Sequence, residues 1–160
     1  MVDNVVLFNS AHNNLAASGT ALSVDSLAAA RAAMRKHKAL DGKTYINITP
    51  KYLVVGPDNE LKAYQFTSTN YVPAKSSDIN VQFNTSLIVI VDPRITDNRW
   101  FLIAAPGAID TLEYAFLEGE GELFTENRYG FDVDGMEIKA RMVFGAHVLE
   151  YRSFYKNPGA

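Results

Sequence analysis

The chain has 160 residues, 48% of them hydrophobic, which is one ordinary domain's worth of sequence with enough apolar matter for a core. Its 18 acidic against 15 basic residues leave a formal charge of −3, and the scattered Lys and Arg do not form the concentrated positive face that nucleic-acid binding needs. The absence of cysteine excludes disulfides, thiolate nucleophiles and thiolate metal sites together, and no apolar run approaches the ~18 residues of a membrane-spanning helix.

Val5–Phe8 is a short apolar patch, and Asn9–Thr20 is polar and small-residue-rich, so it reads as extended chain or loop. Met1–Asn4 holds no basic stretch leading into an apolar one, so no leader is expected and synthesis is placed in a reducing, intracellular compartment. Ser23 then has the character of a helix N-cap, and the spacing of Leu27, Ala30, Arg31 and Met34 in an alanine-rich run predicts a helix over Val24–Lys38. Asp25 in its first turn and Arg35, Lys36, His37 and Lys38 in its last suit the helix dipole. Tyr45–Ile48 and Tyr52–Val55 read as short strands, and Pro57-Asp58 opens a second helix over Asn59–Phe66.

Thr67–Ser86 has no period and is predicted as a long polar loop. The unbroken β-branched run Leu87–Val91 predicts a strand buried on both faces, with Trp100–Ala104 as its partner across Arg94–Arg99. Ile109–Leu117 fits both periods, and its Tyr and Phe favour a strand. Gly119–Glu122 is a loop, and Asp134-Gly135 predicts a two-residue hairpin turn. Met136, Ile138, Ala140 and Met142 then alternate with Glu137, Lys139 and Arg141. After Gly145-Ala146 a further alternation runs through Leu149 and Tyr151, so a strand over Val148–Arg152 is expected. The fold class is α+β, mostly antiparallel sheet with two helices.

Reactive constellations are missing from this sequence. His12, His37 and His147 share no motif spacing, and the chain has no nucleophile elbow, phosphate loop or metalloprotease motif. Asp132 and Asp134 resemble a piece of a calcium loop, but the turn alone explains them and the remaining ligands are absent. Glu118, Glu120 and Glu122 could meet a cation or a basic neighbour, or simply be solvated. A small hydrolase would have to gather His147, Glu113 or Glu150, and a hydroxyl; a ligand-binding module would rest on the aromatic content alone. The sequence therefore names no catalytic residue, no cofactor and no metal ligand. Tyr151, Arg152, Phe154 and Tyr155 are of the types enriched at protein interfaces, and they equally well finish a sheet.

Several segments, taken in order, carry a resemblance. They are Asn9–Leu15, the Ser26–Arg35 helix, Gly42, Ile48–Val55, Asp92-Pro93-Arg94, Trp100-Phe101-Leu102, Leu112–Gly119, Phe131–Gly135 and Tyr151-Arg152. Their order and spacing resemble the C-terminal half of tailed-phage major capsid proteins, in particular the Mu-like major head subunit. They also resemble the capsid part of fusions that carry a ClpP-like prohead protease. The resemblance implies the tailed-phage capsid fold in one continuous domain over 1–160, with axial material over residues 20–125 and peripheral-sheet strands over 128–157. It implies a chain without the N-terminal arm, the extended loop and most of the spine helix. The implied partners are other copies of the chain, in pentamers and hexamers of the full-length subunit, with a scaffold or prohead protease. Neither membrane nor specific nucleic-acid binding is implied. The implied location is the virion, after synthesis in bacterial cytoplasm. The expected contact residues are Tyr71, Arg94, Arg99, Tyr151, Arg152, Phe154 and Tyr155, in the zones Thr67–Ser86, Arg94–Arg99 and Tyr151–Tyr155.

Overall fold

A computed structural model describes residues 4–68, 86–119, 122–130 and 134–160. The expected contact residue Tyr71, most of the Thr67–Ser86 loop and the centres of the Gly119–Glu122 and Phe131–Gly135 segments lie outside the described residues. The chain packs as two compact units. The first combines Met1–Thr111 with Leu149–Ala160, and the second is Leu112–Val148. The architecture is α+β with mostly antiparallel pairing.

In the first unit, α1 spans Val24–Arg35. Ser23 caps it through a reciprocal box: the Ser26 N–H donates to the Ser23 hydroxyl at 3.1 Å, and the Ser23 N–H donates to the Ser26 hydroxyl at 2.9 Å. Leu27, Ala30 and Met34 form its buried stripe. The helix ends at Arg35, so Lys36–Lys38 lie beyond it rather than in its last turn as expected.

Strand β1, Pro50–Val55, follows, then α2, Glu60–Thr67, then strands β2, Ile88–Val91, and β3, Trp100–Ala104; β8, Phe154–Asn157, closes the sheet. The order is β2-β1-β3-β8, with β2 parallel to β1 and the other pairs antiparallel. Two expectations are corrected here. β2 and β3 do not pair; each pairs with β1. Nor is β2 buried on both faces: it is an edge strand whose Val89 and Val91 pack on the core while Ile88 and Ile90 are exposed. Tyr45–Ile48 forms no strand, because Asn47 adopts a left-handed φ of 57° and only Tyr45 makes a single bridge, to Lys38.

Register explains the core. Leu53 faces Leu102, which faces Tyr155, and Val55 faces Trp100, which faces Asn157, so all six share one side of the sheet. All but Asn157 pack in one core with Leu27, Ala30 and Met34 of α1. On the other side Phe8 covers Phe101 and Phe154, at ring separations of 5.5 and 6.5 Å. The β8 edge is closed by the N-terminal segment: the Ala16 N–H donates to the Lys156 carbonyl at 2.9 Å, and the Lys156 N–H to the Asn14 carbonyl at 2.8 Å. Buried Asn157 fixes that seam, its Oδ1 accepting from the Thr20 and Gly159 N–H groups and its Nδ2 donating to the Thr20 hydroxyl.

The expected strand over Val148–Arg152 is replaced by a single 3-10 turn, Tyr151–Ser153. Glu150 causes it. Its carboxylate accepts from the Arg152 N–H at 3.1 Å and its carbonyl from the Ser153 hydroxyl at 2.6 Å, which turns the backbone out of an extended path. The chain then enters β8, which belongs to the first unit's sheet and not to a sheet shared with the strands from residue 128 onward.

The second unit consists of two-stranded ribbons. β4, Leu112–Phe116, pairs antiparallel with β7, Phe144–Val148; β5, Phe124–Tyr129, pairs antiparallel with β6, Met136–Arg141. The strand reading of Ile109–Leu117 therefore holds from Leu112 on. The two-residue turn does not. Tyr129 pairs with Met136 and the Gly130 N–H donates to the Gly135 carbonyl, so the connection is longer.

Candidate functional site

Each ribbon of the second unit is two-faced, because residues directly opposite in an antiparallel pair point the same way. On β4–β7, Leu112, Tyr114, Phe116, Phe144, Ala146 and Val148 share one face, with Tyr114 and Phe116 in edge contact at 5.8 Å and Phe116 against Phe144 at 6.4 Å. On β5–β6, Tyr129, Met136, Ile138 and Ala140 share a face with Thr125 and Asn127. The opposite face of β5–β6 is charged. Arg128 pairs with Glu137 at 2.7 Å, Lys139 with Glu126 at 3.3 Å, and the Arg141 guanidinium lies over the Phe124 ring at 5.1 Å.

The apolar faces are not buried. Tyr129 is 81% exposed, Ile138 66% and Tyr114 65%, and Leu112, Met136 and Phe144 are also exposed. A two-stranded hairpin is marginal alone in water, and contiguous exposed apolar surface marks a place where something else packs. These residues were missed as contact candidates. Their alternation was plain in the sequence, but alternation alone says only that one face is apolar, not whether the same chain covers it.

The sequence-derived candidates are scattered, not gathered. Arg94 is largely exposed and makes a fork to Asp92, with Nε to Oδ1 at 2.9 Å and Nη2 to Oδ2 at 2.8 Å; these bonds hold the Asp92 carboxyl below its usual value. Arg99 makes the equivalent pair with Asp97 and likewise lowers that carboxyl. Phe154 and Tyr155, expected as exposed contacts, are buried in β8, and burial raises the Tyr155 hydroxyl pKa. Arg152 is buried too, in a 2.7 Å ion pair with Glu150. Tyr151 is half-buried, stacked on His12 at 4.0 Å with the Arg152 guanidinium 4.6 Å above its ring. Of the groups a hydrolase would need, Glu113 and His147 do sit opposite one another, but both are exposed on an open ribbon. Among the described residues no cluster of three His, Asp or Glu suits a metal ion, and no helix is long and apolar enough to cross a membrane.

A family model described as phage capsid protein matches residues 2–157. The chain belongs to the phage capsid protein family. No curated protein matches it. Capsid proteins are structural components of the virion, and that gives the exposed ribbon faces a context: a capsid subunit presents surface to other subunits.

Proposed function

We propose that this capsid protein is a shell-forming subunit of the Mu-like major head type. Its copies associate through heterologous contacts, so that each ribbon face meets a different surface of its neighbour. The observation that carries this reading is the pair of amphipathic ribbons whose apolar faces stand open to solvent. The first unit corresponds in this reading to axial material and the ribbons to peripheral material. Arg94 and Arg99 serve as charged rim groups that set register, and Tyr151 borders a contact zone; Tyr71 joins it from the polar loop. The role is contact and not turnover. The shell is built in the host cytoplasm with a scaffold or prohead protease as further partners.

Sedimentation equilibrium over a wide concentration range tests the proposal. Reversible, concentration-dependent self-association is expected. A chain that stays strictly monomeric to millimolar concentration would overturn it.

A further inference from the structure

The first unit holds a cavity of about 510 Å³ that the ribbon faces do not use. It lies where the end of α1 meets the Tyr151–Ser153 turn. Its charged and aromatic lining is His12, Lys36, His37, Lys38, Tyr151 and Arg152, and no carboxylate lines it. One wall is rigid: Arg152, Tyr151 and His12 form a stack fixed by the Glu150 ion pair and by a hydrogen bond between His12 Nδ1 and the Leu7 carbonyl at 3.0 Å.

The other wall is made by three consecutive residues with alternating exposure. Lys36 and Lys38 are exposed, and His37 between them is only 5% exposed. Its Nε2 has no hydrogen-bond partner among the described residues. A buried polar atom without a partner is unfavourable, so this wall offers a polar group to a ligand. Burial, and secondly the Arg152 charge, lower the His37 pKa, while Glu150 opposes them. The carbonyls ending α1 add partial negative charge, Glu150 offsets Arg152 and Asp41 interacts with Lys38, but three cationic side chains against those two carboxylates leave a positive balance. The net character is that of a cationic recess with its long side chains at the rim.

The complementary surface is carried by the same chain. Glu118 and Glu122 are exposed and make no ion pair among the described residues, and Glu120 stands between them in sequence. In a shell built from one repeating subunit, a basic recess on one copy and an acidic segment on the next are the two halves of a heterologous contact. We infer that the Glu118 and Glu122 carboxylates of one copy dock against the Lys36–His37–Lys38 recess of a neighbouring copy. This rests on the shell-subunit reading and names a second contact besides the apolar ribbons.

The test uses a labelled synthetic peptide with the sequence of residues 114–125, titrated into the full chain and followed by fluorescence anisotropy. Saturable binding that weakens with added salt is expected. The same peptide with Gln at its three Glu positions, or the K36E/K38E chain, should bind roughly tenfold more weakly or worse. K36E/K38E should also weaken self-association in sedimentation, and K36E/K38E/E118K/E122K should restore it. Thermal melts check that these surface variants still fold. Equal binding of the Gln peptide, unchanged affinity of K36E/K38E, or displacement of the peptide by equimolar inorganic phosphate overturns the inference. If the wild-type chain self-associates but ignores the peptide, the recess assignment fails and the shell reading stands. If the peptide binds but the chain never self-associates, the shell reading fails and the recess keeps its acidic ligand.

Discussion

Replacing Tyr129 and Ile138 together by serine separates contact from folding. The two side chains share the apolar face of β5–β6 and are 81% and 66% exposed, so neither contributes much to the monomer's core. A fully buried tyrosine hides about 150–250 Å², so covering this one on association removes on the order of 100–150 Å² of mostly apolar surface. At about 25 cal/mol per Å² that is about 3 kcal/mol, with about 1.5 kcal/mol more for the isoleucine. Part of this surface is not fully desolvated at an interface, so a loss of about 2–4 kcal/mol is expected, or roughly 30-fold to 1,000-fold in dissociation constant. The monomer loses only the cross-strand contacts, about 0.2–1 kcal/mol for each pair.

The assay has two arms on the same samples. Sedimentation equilibrium gives the association constant, and chemical denaturation at the lowest usable concentration gives monomer stability. The double variant should lose association while its unfolding midpoint barely moves. A variant that associates within threefold of the wild type, with folding intact, would show that this face is not where copies meet. A large loss of monomer stability would place these side chains in a core that the exposures above say they do not have.

Three further substitutions probe the first unit. Leu102→Ala removes a fully buried leucine paired with Leu53 and Tyr155, and should cost about 2–5 kcal/mol in denaturant unfolding, with association affected only through loss of fold. Gly159→Ala should destabilise by ~1–3 kcal/mol: Gly159 has φ +78°, and an added Cβ would stand 2.3 Å from the Asn98 carbonyl oxygen, so a thermal shift of several degrees is expected. His37 gives a pH signature. Its folded pKa lies below the ordinary histidine value of 6.5, mainly because the ring is buried, so as pH falls through that value the unfolded chain takes up a proton that the folded chain resists. Stability should therefore drop as pH falls below 6.5, and His37→Gln should flatten that part of the profile; an unchanged slope in the variant refutes the assignment.

Local chemistry was legible wherever a residue acts on its own backbone neighbourhood. Ser23 is visible as a cap because a hydroxyl before an alanine-rich run has one obvious use, and Ser26 completes it. β1 is visible as a short run of aromatic, leucine and β-branched residues, and β4 because Leu112, Tyr114 and Phe116 alternate with other residues. What stayed hidden depends on partners distant in sequence. The Leu87–Val91 run gives no sign that β1 inserts between β2 and β3, so its Ile88 and Ile90 look like core in sequence although they lie on an open edge. The end of the last ribbon was hidden by Glu150, a residue that in sequence only continues an alternation. Its second use, bonding the Arg152 N–H and guanidinium, appears only when the turn has formed. β5 was illegible for a different reason: Thr125–Arg128 is polar throughout, and its partner β6 supplies the ion pairs that hold it.

The candidate contact surface follows from the same distinction. In the first unit most of the strand alternation is used: Leu53, Val55, Trp100 and Leu102 go inward against α1, and Phe8 covers Phe101 and Phe154 on the opposite face, leaving only Ile88 and Ile90 of the edge strand exposed among its strand aliphatics. In the second unit alternation of equal strength, Leu112-Tyr114-Phe116 and Met136-Ile138-Ala140, ends in solvent. A sequence encodes both cases identically, since period two specifies only that one face is apolar. Burial requires a covering layer, and for the ribbons the chain's own described residues leave these faces open. Exposing this much aromatic and aliphatic surface is an aggregation hazard for a monomeric protein. In the shell-subunit reading proposed above, other copies of the chain cover that surface. The charged face of β5–β6 fits the same logic. Its alternating Glu126, Arg128, Glu137 and Lys139 are already paired within the hairpin, which keeps that face hydrated and, in the proposed reading, leaves the apolar one for the neighbour.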